Sequence, residues 1–136
     1  MGLLHATCVA IADAGVLIRG PSGSGKSDLA LRLIDGGADL VSDDICETAV
    51  KDGRLVATTP ATIAGKIEVR GHGIINLPFR ASVAVGLVVD LMPEKDIERM
   101  PETTTCVLDG VTLPRLVVDA FSPSATAKVR LVMGSK

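Results

Sequence analysis

The run Gly20-Pro21-Ser22-Gly23-Ser24-Gly25-Lys26-Ser27 constrains the fold of this chain more than any other stretch. It matches the pattern G-x-x-x-x-G-K-S, and each part has a mechanical reason. The glycines let the backbone curl until successive N–H groups point at phosphate oxygens. A helix starting at Lys26 adds its positive end. The lysine reaches the β/γ-phosphates and the serine hydroxyl serves a magnesium ion. A glycine-rich turn with a chance Lys-Ser is the alternative, and the flanking sequence argues against it. Thr7 to Ala12 and Val16 to Arg19 are short apolar runs around Asp13-Ala14-Gly15, which predicts a β-hairpin leading into the loop. Leu29, Ala30, Leu33 and Ile34 then mark one apolar face of a helix, which Gly36-Gly37 stops.

The remaining pattern is richer in strands than in helices. Ala38 to Ser42 reads as a buried strand ending at Asp43-Asp44. Cys46 to Val50 and Arg54 to Thr58 flank Lys51-Asp52-Gly53, a D-G hairpin turn. Ile67 to Arg70 alternates apolar and charged residues, and Val83 to Asp90 is a strong strand. Asp96 to Met100 suggests a short helical turn. Val111 to Val118 is extended but interrupted by Pro114, which predicts an edge strand. Ala125 to Met133 fits a helix or a strand. The expectation is an α/β fold, a P-loop core on a mixed sheet, with residues 1–136 as one domain.

Composition removes several function classes. The net charge of −2 comes with no basic run, which argues against a nucleic-acid binder. The chain has no Trp or Tyr and only Phe79 and Phe121 as aromatics. Cys8, Cys46 and Cys106 are widely spaced with no C-x-x-C, so reduced thiols in a cytoplasmic protein are expected. The first residues lack a basic region ahead of an apolar stretch, so no signal peptide is expected. The run from Val83 to Met92 is too short to span a membrane and contains Asp90.

A GTPase would carry N-K-x-D, which is absent, and a small-molecule kinase usually carries a lid with several arginines. Here Arg32, Arg54, Arg70, Arg80, Arg99, Arg115 and Arg130 are scattered singly. Two acidic positions compete as the group that helps hold magnesium: Asp90 at the end of its strand, and the pair Asp43-Asp44. Adjacent carboxylates repel, which favours one of them as acceptor for a hydroxyl proton. The same pair would also serve as a helix cap or a solvated turn. His5, one of two histidines, is expected on the leading strand, where a structural histidine is the alternative to a catalytic one. His72 lies in Arg70-Gly71-His72-Gly73, and Glu68 and Arg70 project to one side, as in a metal site, a phosphate site or a surface ion pair.

Three blocks in order, "GPSGSGKSDLALRL", "LVSDD" and "IEVRGHGIINL", resemble the C-terminal catalytic domain of the bacterial HPr kinase/phosphorylases. The last resembles the family signature I-E-I-R-G-x-G-I-I. The resemblance implies a fold like that of the HPr kinases and phosphoenolpyruvate carboxykinases. It also implies ATP-dependent phosphorylation of a serine on HPr, the phosphocarrier protein of the sugar phosphotransferase system. Gly20, Pro21, Ser22, Gly23, Ser24, Gly25, Lys26 and Ser27 would bind ATP, with Ser27 and Glu68 on Mg²⁺. Asp43 and Asp44 match the family's acidic pair, one of them the base; the sequence leaves open which. His5 matches a nearby histidine, and Arg99 in "IERMPE" an arginine of the family's D-R-L-G segment. Asp90 is thereby left structural.

Two departures accompany this resemblance. The family's additional N-terminal domain is not expected here. The family's P-V-R-P-G-R segment corresponds to Val118-Asp119-Ala120-Phe121-Ser122-Pro123-Ser124, which has no arginine. That segment is linked to phosphorolysis of phosphoserine-HPr, in which phosphate is consumed and pyrophosphate formed, and to the hexameric assembly that the resemblance implies. A nucleotide-sensing module without phosphotransfer and a small-molecule P-loop kinase are the alternatives.

Overall fold

Eleven strands and two α-helices form within residues 2–102 and 104–134, the residues that the computed structural model describes. The strands are β1 (Gly2–Leu4), β2 (Thr7–Ile11), β3 (Ala14–Arg19), β4 (Asp39–Ser42), β5 (Cys46–Lys51), β6 (Arg54–Thr58), β7 (Lys66–Val69), β8 (Gly73–Asn76), β9 (Ser82–Leu91), β10 (Thr105–Leu108) and β11 (Val111–Val118). The helices are α1 (Lys26–Asp35) and α2 (Ala125–Val132). One mixed sheet runs β1-β5-β6-β9-β3-β2-β4, and β7 and β8 form a separate hairpin.

β9 organises the sheet. Along one side it pairs in parallel with β3. Along the other, its first residues pair with β6 and its last with β11, which carries β10. The limb β1-β5-β6 and the limb β10-β11 therefore both leave β9. Their apolar faces share one core, in which Leu55 and Ala57 meet Leu113. The opposite face of the sheet packs on the helices, with Leu29, Ala30, Leu33 and Val129 against Val16, Ile18, Leu87 and Val89. Val83 and Val85 face the first of these cores, yet Leu87, Val89 and Leu91 face the helices. The alternation changes hand at Gly86, which the register against β3 skips: Gly15 pairs with Val85 and Val16 with Leu87.

The expected hairpin ahead of the loop is present, but its turn is Ala12-Asp13 and Gly15 lies inside β3. Gly15 is a contact glycine, since a Cβ there would come within 2.6 Å of Val83 Cγ1. The end of α1 follows the expectation closely. Gly37 takes φ 112°, with Gly37 N–H donating to Ile34 O and Ala38 N–H to Leu33 O, a Schellman closure.

Two other expectations are corrected. β11 is not an edge strand, because it lies between β10 and β9. Arg115 N–H donates to Thr104 O on the β10 side, so the Pro114 nitrogen faces the other way, where pairing with β9 starts only at Arg115. The proline therefore costs no ladder bond. The short turn is a 3₁₀ turn at Glu94–Asp96 and does not extend over Asp96 to Met100; Ile97 is already extended. Pro93 opens that turn, and Pro101 disfavours a helical Met100. The ambiguous C-terminal stretch is a helix, with Ala125 and Val129 buried four residues apart on one face. β1, β8 and β10 were not anticipated, since three or four residues carry too little alternation to read.

Candidate active site

The carboxyl ends of the parallel strands β3, β9 and β11 point to one side of the sheet, where open α/β sheets bind their ligands. The glycine loop leaves β3 there. Gly23 and Gly25 hold φ at 84° and 97°, and Leu29 N–H donating to Gly25 O begins α1. A side chain at Gly25 would also collide with its neighbours. Its Cβ would lie 2.8 Å from Ala120 Cβ and 3.2 Å from the Phe121 ring. Lys26 folds back over the loop, donating from Nζ to Gly20 O at 2.9 Å and Pro21 O at 3.3 Å. Ser24 Oγ is buried within the loop and has no hydrogen-bond partner among the described residues.

Asp43 gathers the groups opposite. Its Oδ1 accepts from Ser27 Oγ at 2.7 Å and from Thr7 Oγ1 at 3.1 Å, and its Oδ2 accepts from the Glu68 backbone N–H at 3.0 Å. One carboxylate thus ties β2, α1 and β7 together. Thr7 Oγ1 also accepts from the Asp44 N–H, at 3.1 Å. Asp44 is exposed, with φ 69°, in the left-handed region that Asp tolerates better than most residues. Among the described residues none donates to its carboxylate.

These groups line a cleft of about 350 Å³. Lys26 and Arg70 face it, and so do Asp28, Asp43, Asp44 and Glu68. Four carboxylates against two cations would repel a polyphosphate unless a divalent cation joined it. The Ser27 hydroxyl with the carboxylates of Asp43 and Glu68 fits magnesium, which binds through one or two carboxylates and completes its shell with water and phosphate. No cage of three or more acidic, His or Cys side chains exists among the described residues, so the protein alone does not enclose an ion.

Gly23, Gly25, Lys26, Ser27, Asp43, Asp44 and Glu68 are thus brought together. Pro21 and Ser24 lie on the other side of the loop, and Ser22 borders both sides. His5 is exposed just before β2 and does not line the cleft; neither do Arg99, exposed after the 3₁₀ turn, and His72, exposed in the β7–β8 turn. Two residues were missed. Thr7 is fully buried, and its only sequence signal is a polar residue opening an apolar strand. Phe121 borders the cleft, and its signal is that only one other aromatic exists in the chain.

Asp90 lies behind the loop. It accepts from Arg19 Nε at 2.8 Å, Arg19 Nη2 at 2.9 Å and Arg115 Nε at 2.5 Å, which locks the last residue of β3 to β9 and β11. Burial pushes its carboxyl up, but the hydrogen bonds and charges of the two arginines outweigh burial and hold it below its ordinary range. A depressed carboxyl contributes stability above its unfolded value, and that contribution is lost as the pH falls through the folded one. Solvent reaches the group enough to screen part of this, so Asp90→Asn is expected to destabilise the chain by about 1 kcal/mol at neutral pH. Denaturant melts at stepped pH should show the gap to wild type narrowing below the ordinary carboxylate range. A gap that stays constant with pH would contradict this account.

Comparison with known proteins identifies the family and the fold. The family model described as HPr Serine kinase C-terminal domain matches residues 2–121. An HPr kinase/phosphorylase of Geobacillus kaustophilus is 38% identical over 128 residues, 85% of this chain and 41% of that protein. One from Clostridium tetani is 44% identical over 75 residues, 55% of this chain and 25% of that protein. The chain thus spans less than half the length of these curated relatives. The structure of the Hpr(Ser) kinase/phosphatase from Coxiella burnetii superposes with a TM-score of 0.86 at 26% identity, covering 98% of this chain and 95% of that one. The mixed sheet is thus that of a P-loop kinase-like fold, and the chain belongs to the HPr serine kinase C-terminal domain family.

Proposed function

We propose that this chain transfers the γ-phosphoryl group of ATP to a serine hydroxyl of HPr. The observation that carries this reading is Asp44: an exposed carboxylate that accepts from none of the described residues, on the same cleft as Lys26 and Ser27. The glycine loop holds the phosphates through its backbone, and Lys26 turns from its carbonyl partners onto the β/γ oxygens. Magnesium, when bound at Ser27 and the acidic group, neutralises charge on those oxygens. Asp43 keeps Ser27 and β7 in place by accepting from both. Asp44 accepts the serine proton as the serine oxygen bonds to the γ-phosphorus. The bond from that phosphorus to the β–γ bridging oxygen breaks, and ADP leaves.

The stretch from Val118 to Ser124 brings Phe121 to the cleft and carries no arginine, which favours the kinase direction over phosphorolysis. Incubation with γ-labelled ATP, Mg²⁺ and HPr should label one serine of HPr. Phosphoserine-HPr with excess phosphate should release little pyrophosphate. Nucleotide binding without any labelled HPr would overturn the reading.

A further inference from the structure

A second cleft, of about 300 Å³, opens on the other side of the phosphate loop. Residues 21–24 of the loop line it together with Leu91, Met92, Pro93, Asp119 and Phe121. Ser22, Gly23 and Phe121 line both clefts, so the two adjoin at the loop. Their chemistry differs. No basic side chain lines the second cleft, and its one charged group is the carboxylate of Asp119, which disfavours phosphate. The site suits an uncharged, flat and partly apolar group.

The walls are held in place. Asp119 Oδ1 accepts from the Phe121 N–H at 2.9 Å and Oδ2 from the Glu94 N–H at 3.1 Å, while Met92 N–H donates to Val118 O at 3.0 Å. Arg32 on α1 donates to Ala120 O. Phe121 is nevertheless 68% exposed, resting one ring edge on Gly25. A large apolar ring kept in water beside a phosphate loop, on a braced backbone, loses little freedom when a ligand covers it. Base–aromatic stacking is the interaction such a ring provides.

We propose that the second cleft takes the purine base of the nucleotide whose phosphates lie in the loop, with the base stacked on Phe121 over Met92 and Pro93. This rests on the reading of the loop as the nucleotide phosphate site. The test compares ADP with inorganic tripolyphosphate, which has phosphates and no base, by calorimetry on wild type and Phe121→Ala. ADP binding should weaken about tenfold in the variant while tripolyphosphate binding stays unchanged. Phe121→Trp adds a single indole to a chain that has none, so its fluorescence should be quenched by ADP and not by tripolyphosphate. Equal losses for both probes in Phe121→Ala, unchanged ADP affinity, or equal quenching by both in Phe121→Trp would overturn the base site alone. Failure of wild type to bind either probe would overturn the phosphate reading and this proposal with it.

Discussion

Lys26→Ala is expected to lower phosphoryl transfer to HPr by about a thousandfold or more, with the fold intact. In this structure Nζ spends its hydrogen bonds on Gly20 O and Pro21 O, and among the described residues no carboxylate pairs with the ammonium. It is therefore free to move onto an incoming phosphate without first breaking an ion pair. The rest of the cleft is dominated by acids, which makes this cation hard to replace: only Arg70 shares its sign there. Alanine at the first position of α1 is a good helix former, so the helix should keep its start. The expected signature is a collapse of kcat/KM with a melting temperature within a few degrees of wild type. A variant retaining more than a tenth of wild-type activity would remove Lys26 from the mechanism.

How much was legible beforehand follows from the range over which each signal acts. The loop and α1 were read to within a residue, because glycines, lysine and helix face lie within one local segment and the Schellman glycines mark its end. Strands that flank a D-G turn or run through a long apolar stretch were equally plain. Pro114 misled, because whether a missing N–H matters depends on where the neighbouring strand begins to pair, and that is set by tertiary register. The inversion at Gly86 was hidden for the same reason. Within the site, the Asp43-Asp44 pair was visible as chemistry but not as geometry. Only the meeting of β2, α1 and β7 separates the two carboxylates, occupying Asp43 with Thr7, Ser27 and Glu68 and leaving Asp44 open. Thr7 and Phe121 stand 36 residues before and 78 after Asp43 and carry no motif, so no local pattern could attach them to it.

That separation gives the sharpest expected contrast. Asp44→Asn should reduce kcat by roughly 10²–10⁴-fold while leaving nucleotide affinity nearly unchanged. Asparagine is the informative substitution, because it shares the tolerance of aspartate for the left-handed φ of 69° and removes only the ability to take a proton. Alanine would add backbone strain and confuse the two effects. Asp43→Asn should behave differently. Its carboxylate accepts from two hydroxyls and one backbone N–H, and an amide nitrogen cannot accept from any of them. Its amide oxygen can keep the Glu68 N–H only if its NH2 turns to Ser27 and Thr7, which makes both hydroxyls acceptors and removes the negative charge beside Ser27, so nucleotide and magnesium affinity should fall along with the rate. A full pair of kinetic and binding curves therefore distinguishes base from brace. If Asp44→Asn kept a wild-type kcat while Asp43→Asn lost turnover at unchanged affinity, the proton would have to go to Asp43. The three hydrogen bonds now on that carboxylate would then have to open before each turnover.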